Sequence, residues 1–351
     1  MPYLRNCWYM AAWADEIPAG GLLARRLLDE PVVLFRGSDD KVGAVSDRCP
    51  HRFAPLSRGK VVGRAITCGY HGLAFDGRGQ CVVNPHGPIP RSMEIKHYPI
   101  MEAYRGIWIW MGTPAAANPR ALRDLSFLDE SPDTAFSKGY LFGRGNYQLY
   151  VDNILDLTHV DYLHATTLGS GAFTRTRAKV TETDDCVSVH RDCVNEAPSP
   201  LMRAIRGLSE EARVDSWNHV EWSAPAVMTL SGGNVPAGES REGPHNNMNT
   251  LNLHIVTPET SRTTHYFFAT TRDFALEDAA FNERFAETRY RIFSTEDEPM
   301  INAQQESMGE SDFWDLEPML LRIDEGSVRV RRKLARMIET ERETRPPEGE
   351  R

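Results

Sequence analysis

The sequence predicts an α+β chain in two parts. Residues 1–112 form an all-β domain, residues 113–340 form a mixed domain, and a charged tail follows at 341–351. Three observations predict this. Short apolar runs bounded by Gly, Asp, Ser or Pro crowd the first part. Two Cys/His pairs lie inside it. In the second part strands and helices are segregated rather than alternating, which argues for an antiparallel sheet with separate helices.

In chain order, Pro31 to Arg36, Val42 to Val45 and Gly106 to Trp110 read as strands. Asp76-Gly77-Arg78-Gly79 is a turn between Leu73–Phe75 and Cys81–Val83. Thr113 to Asp133, rich in Pro, Ala, Asn and Asp, reads as a connecting segment. Gln148 to His159 has helical spacing. Val180, Val187–Val189, Val227–Leu230, Leu251–Val256 and His265–Ala269 read as strands, and Glu277–Ile292 and Ser327–Thr340 as helices. The tail carries Pro346-Pro347 and is expected to be disordered.

A length of 351 residues, 41% hydrophobic and 25% charged, is that of an ordinary globular protein with room for two cores. With a net charge of −9 and no basic tract, the chain offers no nucleic-acid surface. No signal peptide opens it, and no stretch approaches the ~20 apolar residues that span a bilayer. The expectation is a cytoplasmic protein with no membrane partner. Cys7, Cys81, Cys186 and Cys193 are scattered and read as reduced thiols.

Cys49-Pro50-His51 and Cys68-Gly69-Tyr70-His71 carry the chemistry of the first domain. C-x-H, sixteen residues, then C-x-x-H is the ligand set of a Rieske [2Fe–2S] cluster, in which two cysteines hold one iron and two histidines the other. Neutral imidazole in place of anionic thiolate raises the potential above that of an all-cysteine cluster. Ala54 and Tyr70 stand where respiratory Rieske proteins carry an extra cysteine, so no disulfide can flank the cluster. Structural zinc is the competing reading of these four ligands, although zinc knuckles more often use C-x₂₋₄-C pairs.

A second constellation lies at 151–164. On a helix, Asn153, Asp156 and His159 recur at i, i+3 and i+6 and share a face. His164 is five residues on, about 140° out of register, so the helix ends near Tyr162 or carries a bulge. Two histidines and one carboxylate are the ligands of an O₂-activating mononuclear Fe(II) site. Asp297 is the best candidate for the carboxylate, with Glu296 and Glu298 as rivals. The plainer reading is packing histidines and a solvated acidic triplet. An electron-transfer cluster in the same chain favours the iron site.

The chain resembles the Rieske non-haem iron oxygenases, and within them the oxygenase components of the vanillate O-demethylase and toluenesulfonate methyl-monooxygenase group. The resemblance rests on Arg5 to Tyr9, Cys49 to Arg52, Cys68 to Leu73, Trp108 to Gly112, Val151 to His159, His164, Thr257-Pro258-Glu259 and Glu296-Asp297. It implies a Rieske domain followed by a helix-grip catalytic domain, a head-to-tail homotrimer, and a separate flavin and iron–sulfur reductase that draws on NAD(P)H. It also implies that Asp156 links a cluster histidine, here His71, to an iron histidine, here His159, of the neighbouring copy. Asn153 is then a supporting residue beside the iron.

The implied reaction uses O₂ to hydroxylate a methyl or O-methyl group of a small aromatic substrate, with formaldehyde released from an ether. Ring dihydroxylation, N-demethylation and plain electron transfer are the alternatives. His254 alternates within a strand and could meet a substrate acid group, or be a satisfied structural histidine. Trp108 and Trp110 read as core. His86, His97, His190, His219, His245 and His265 receive no role.

Overall fold

The computed structural model describes residues 3–241 and 248–344; His245 and the end of the tail, 345–351, lie outside them. The chain folds into two compact units.

The first unit holds three small sheets. Strands β1 (Trp8–Trp13), β10 (Gly106–Trp110) and β9 (Ile100–Ala103) form one, and β2 (Leu22–Leu27), β3 (Glu30–Arg36) and β4 (Val42–Ser46) a second. The third is β5 (Lys60–Val62), β6 (Ala65–Thr67), β7 (Ala74–Asp76) and β8 (Cys81–Val83). All pairings are antiparallel; the second and third sheets are meanders, whereas in the first β10 lies between β1 and β9. Every residue of β1 and of β10 is buried, which is why they read as unbroken apolar runs rather than alternating ones. Val33, Phe35, Val45, Leu56, Ile66 and Phe75 form a buried cluster that includes Cys49 and Cys68. Each such side chain contributes about 1.5–3 kcal/mol by leaving water.

The two Cys/His loops rise from this core and share one backbone pattern. Cys49 donates its N–H to Ala54 O (2.9 Å) and accepts from Phe53 N (2.9 Å). Cys68 donates to Leu73 O (2.8 Å) and accepts from Gly72 N (3.1 Å). The residue four places after each cysteine is left-handed, Phe53 at φ 59° and Gly72 at φ 76°. Beneath the loops two chain segments nearly touch. A Cβ on Gly59 would lie 1.9 Å from Thr67 O, and one on Gly69 2.8 Å from Arg58 O. Gly59→Ala is expected to force these backbones apart, costing about 1–3 kcal/mol, and to lower acid-labile sulfide per chain. Wild-type sulfide content in that variant would contradict the cradle described here.

The unit does not stop at residue 112. It runs to Leu125 and takes in Thr257–Ser261. Trp8 Nε1 donates to Asn118 O (2.8 Å), Leu28 N to Pro258 O (2.9 Å) and Thr257 Oγ1 to Met10 O (2.7 Å). The segment read as a linker is thus held by backbone acceptors that composition does not reveal.

The second unit is built on a seven-stranded, largely antiparallel sheet, ordered β11-β17-β16-β15-β14-β13-β12. Its strands are β11 (Phe136–Gly143), β12 (Lys179–Glu182), β13 (Cys186–Glu196), β14 (Val214–Ser223), β15 (Val227–Pro236), β16 (Met248–Thr260) and β17 (Thr263–Arg272). The helices are α1 (Phe127–Glu130), α2 (Tyr147–Leu155), α3 (Val160–Leu163), α4 (Ala172–Arg175), α5 (Pro200–Arg206), α6 (Ala279–Ile292), α7 (Glu298–Met308) and α8 (Glu325–Thr344). Strands β11 and β14 and helices α1, α3, α4, α5 and α7 do not appear in the sequence reading. Residues 341–344, read as part of the tail, continue α8; from Thr340 on, that helix belongs to the first unit, in which Glu341 accepts the N–H groups of Arg5 (2.7 Å) and Asn6.

Candidate active site and metal centres

In the cluster cradle the thiols face inward and the imidazoles outward. Cys49 and Cys68 are each 2% exposed. Burial, and then the facing Cys68 thiol, push the Cys49 thiol up, against amide hydrogen bonds from His51 and Arg52. Two buried thiols this close ionise together only with cations between them. His51 is exposed and His71 half-buried, their ring centroids 4.5 Å apart. The residues fit a [2Fe–2S] cluster, which Cys49, Cys68, His51 and His71 would hold and which would supply single-electron transfer. His86 was given no role from sequence, yet its Nε2 lies 2.9 Å from His71 O and steadies that loop.

The second constellation departs from the continuous helix expected over 148–159. The chain leaves helix α2 at Asp156 (φ −104°, ψ 95°), makes one 3₁₀ turn over Leu157–His159 and enters α3. Asp156 Oδ1 caps the new turn, accepting from Thr158 N (2.9 Å) and Thr158 Oγ1 (2.7 Å). His164 follows the end of α3 at Leu163, so the two histidines flank one short helix and the break lies before both.

This path brings His159, His164 and Asp297 together, with ligand atoms all within 4.8 Å of one another. Asp297 Oδ1 lies 3.0 Å from His164 Nε2 and 3.4 Å from His159 Nε2. The opposite ring nitrogens are engaged: His159 Nδ1 by Asp156 O, and His164 Nδ1 by Glu296 Oε2 at 2.7 Å. Thr167 Oγ1 in turn donates to Glu296 (3.1 Å). A ligating imidazole is usually fixed in this way through its other nitrogen. Glu296 therefore stands behind His164, on the side away from Asp297. Asn153 Nδ2 donates to Asp297 Oδ1 (3.0 Å).

Asp297 closes a π-turn, Phe293–Asp297, set between α6 and α7. The irregularity that the histidine spacing suggested thus appears also on the carboxylate's helix, as π-turns often do at functional sites. Burial works to raise the Asp297 carboxyl, and hydrogen bonds from His159 and His164 outweigh it, holding the group at about 2. Burial lowers His164, but bonding to Asp297 and Glu296 raises it overall. Two neutral-capable imidazoles and a fixed carboxylate on one side of an open cavity fit a mononuclear Fe(II).

That cavity, about 320 Å³, suits a small aromatic molecule. Every second residue of the sheet lines it: Ser216 and Asn218 on β14, Leu230 and Gly232 on β15, Asn252 and His254 on β16, Tyr266 and Phe268 on β17. His254 does point inward. Its Nδ1 is engaged by Tyr266 Oη (2.6 Å), and burial, with the charge of Arg289 nearby, pushes it down to about 3. It meets a ligand only as a neutral group. Arg289 was missed in the sequence, where an arginine on an amphipathic helix reads as a solvent-facing residue.

The chain matches two family profiles. One is the Rieske [2Fe–2S] domain over residues 7–99, the other the vanillate O-demethylase oxygenase C-terminal domain over residues 144–340. It is 37% identical to the oxygenase component of chloroacetanilide N-alkylformylase from Rhizorhabdus wittichii, over 97% of each chain. Its identity to the iron–sulfur subunit of the toluene-4-sulfonate monooxygenase system of Comamonas testosteroni is 39%, over 88% of this chain and 90% of the relative. Crystal structures of dicamba monooxygenase share its fold. The form bound to 3,6-dichlorosalicylic acid gives a TM-score of 0.90 at 34% identity, covering 98% of this chain and 100% of that one. A form with non-haem iron and dicamba gives 0.82 at 33% identity, covering 98% and 99%. With a two-loop cluster cradle in one unit and a His-His-Asp set in the other, the chain belongs to the Rieske non-haem iron oxygenases, among the oxygenase components related to vanillate O-demethylase.

Proposed function

We propose that this chain is the terminal oxygenase of a multicomponent monooxygenase that hydroxylates a methyl or O-methyl group on a small aromatic substrate. The observation that carries the reading is the His159–His164–Asp297 set opening onto an apolar, aromatic-lined cavity, in a chain that also holds the cluster cradle. When bound, the iron supplies O₂ activation and the [2Fe–2S] cluster supplies electrons one at a time. One oxygen atom enters a methyl C–H bond and the other leaves as water, consuming two electrons and two protons. On an aryl ether the resulting hemiacetal collapses to a phenol and formaldehyde. The electrons come from NAD(P)H through a separate flavin and iron–sulfur reductase.

The protein's part is position and exclusion of water. Glu296 and Asp156 O hold the two imidazoles with Nε2 toward Asp297, and Asn153 steadies the carboxylate. Phe268, Phe293 and Leu230 wall the cavity. We further propose a head-to-tail homotrimer in which the cluster loops of one copy meet Asp156 of the next. The support is exposure on both sides. Phe53 and Tyr70 of the loops are 71% and 60% exposed, and Asp156 and His159 line a second hollow rimmed by exposed Met319 and Leu321. No described helix is long and apolar enough to cross a membrane.

Iron and acid-labile sulfide on anaerobically purified protein, followed by turnover of methoxy- and methyl-arenes with a surrogate reductase, test the reading. About three irons per two sulfides and formaldehyde from a methoxyarene are expected. A cis-dihydrodiol without formaldehyde would replace demethylation by ring dihydroxylation. Cluster iron alone would leave an electron carrier.

A further inference from the structure

Arg289 breaks the pattern of its helix. Its neighbours at three and four residues are Phe285, Ala286, Ile292 and Phe293, so no acid on α6 can pair with it. Three of those four line the cavity, and so does Arg289 itself. Arg284 and Arg291 on the same helix are exposed, whereas Arg289 is half-buried in the cavity wall. Asp297 is the sole acid that lines the cavity among the described residues, and it is committed to His159 and His164. The second lining arginine, Arg206, is engaged by Asn234 Oδ1 (2.5 Å). A guanidinium in an apolar wall without a carboxylate is costly unless a ligand supplies one.

We propose that Arg289 is the specificity-determining anchor for a singly anionic aromatic substrate, holding its carboxylate or sulfonate at the end of the cavity away from the metal donors. The inference rests on the oxygenase reading above and names its substrate class. Burial lowers the guanidinium only to about 10, so it stays charged at neutral pH. Arg289 and Asp297 lie eight residues apart on one helical run, roughly 12 Å along its axis at 1.5 Å per residue. A ring can lie between them with its acid across from the methyl group. Planar, bidentate recognition of carboxylate or sulfonate is what guanidinium does best. His254, neutral and bonded to Tyr266, is left as a hydrogen-bond partner rather than the counter-charge.

The test titrates the cluster- and iron-loaded protein by calorimetry with benzoate, 4-methoxybenzoate and neutral 4-methoxybenzyl alcohol. Arg289→Gln, Arg289→Lys and Arg206→Gln are compared with wild type, and formaldehyde release is measured on the same samples. Arg289→Gln is expected to weaken both acids about 10- to 100-fold and leave the alcohol and the iron and sulfide contents unchanged, with partial recovery in Arg289→Lys. The anchor is overturned if wild type binds neither acid, if the alcohol loses as much as the acids, or if only Arg206→Gln weakens them. Arg289-dependent acid binding with no formaldehyde from any probe would reject demethylation and keep the anchor. Formaldehyde from charged and neutral ethers alike, with binding indifferent to Arg289, would do the reverse.

Discussion

Asp297→Ala is expected to lose the mononuclear iron and to keep the [2Fe–2S] cluster. Asp297 Oδ1 is the atom toward which both imidazole Nε2 atoms point, at 3.0 and 3.4 Å. Without it, two neutral nitrogens remain, and a hard Fe(II) loses its anionic oxygen donor. Glu296 cannot step in without abandoning His164 Nδ1, because its carboxylate is on the far side of that ring. Glu296→Gln should therefore keep iron but bind it about 10- to 100-fold more weakly, the usual effect of removing a group that orients a ligand. Metal analysis with a dithionite-reduced EPR spectrum reads both. Full mononuclear iron in Asp297→Ala would move the third ligand to another residue and dismantle the site as assigned.

The second large effect is at Asp156. Asp156→Asn is expected to hold both metals and to cut turnover about 100-fold. The substitution is clean for a structural reason. Asp156 Oδ1 caps the turn at Thr158, and an asparagine Oδ1 caps equally well, so the path to His159 survives. Oδ2 has no hydrogen-bond partner among the described residues, and its charge is what the variant removes. Alanine would confuse the result by also costing about 1 kcal/mol of capping. Single-turnover oxidation of the reduced cluster in the presence of substrate and O₂ measures the step directly. A wild-type rate there would sink the proposed link between neighbouring copies.

Much of this site is legible before any coordinates. The four residues proposed as cluster ligands stand out because cysteine and histidine at those spacings have few other uses. His254 lines the cavity as strand alternation predicts, and so do its neighbours at every second position. What escaped is non-local or rule-breaking. The break at Asp156 was readable in principle, since Asp-Leu-Thr is a capping signal, but the surrounding i, i+3, i+6 pattern masked it. The role of Glu296 depends on which face of His164 it meets, and sequence proximity to Asp297 could not distinguish the two acids. Arg289 needed the observation that nothing on its own helix can neutralise it. The attachment of residues 113–125 and Thr257–Ser261 to the first unit runs through backbone acceptors, which carry no side-chain signature.

The π-turn at Phe293–Asp297 has a further consequence for how such a protein can change. A π-turn is an α-helix with one surplus residue. The surplus is absorbed within the turn, so α6 and α7 keep the faces they would have as one continuous helix, and only the residues inside the turn are re-aimed. The cavity wall at Phe285, Arg289 and Ile292 lies before the turn, and Asp297 lies in it. A change confined to the turn would thus act on the metal-facing carboxylate and spare the wall that meets the substrate.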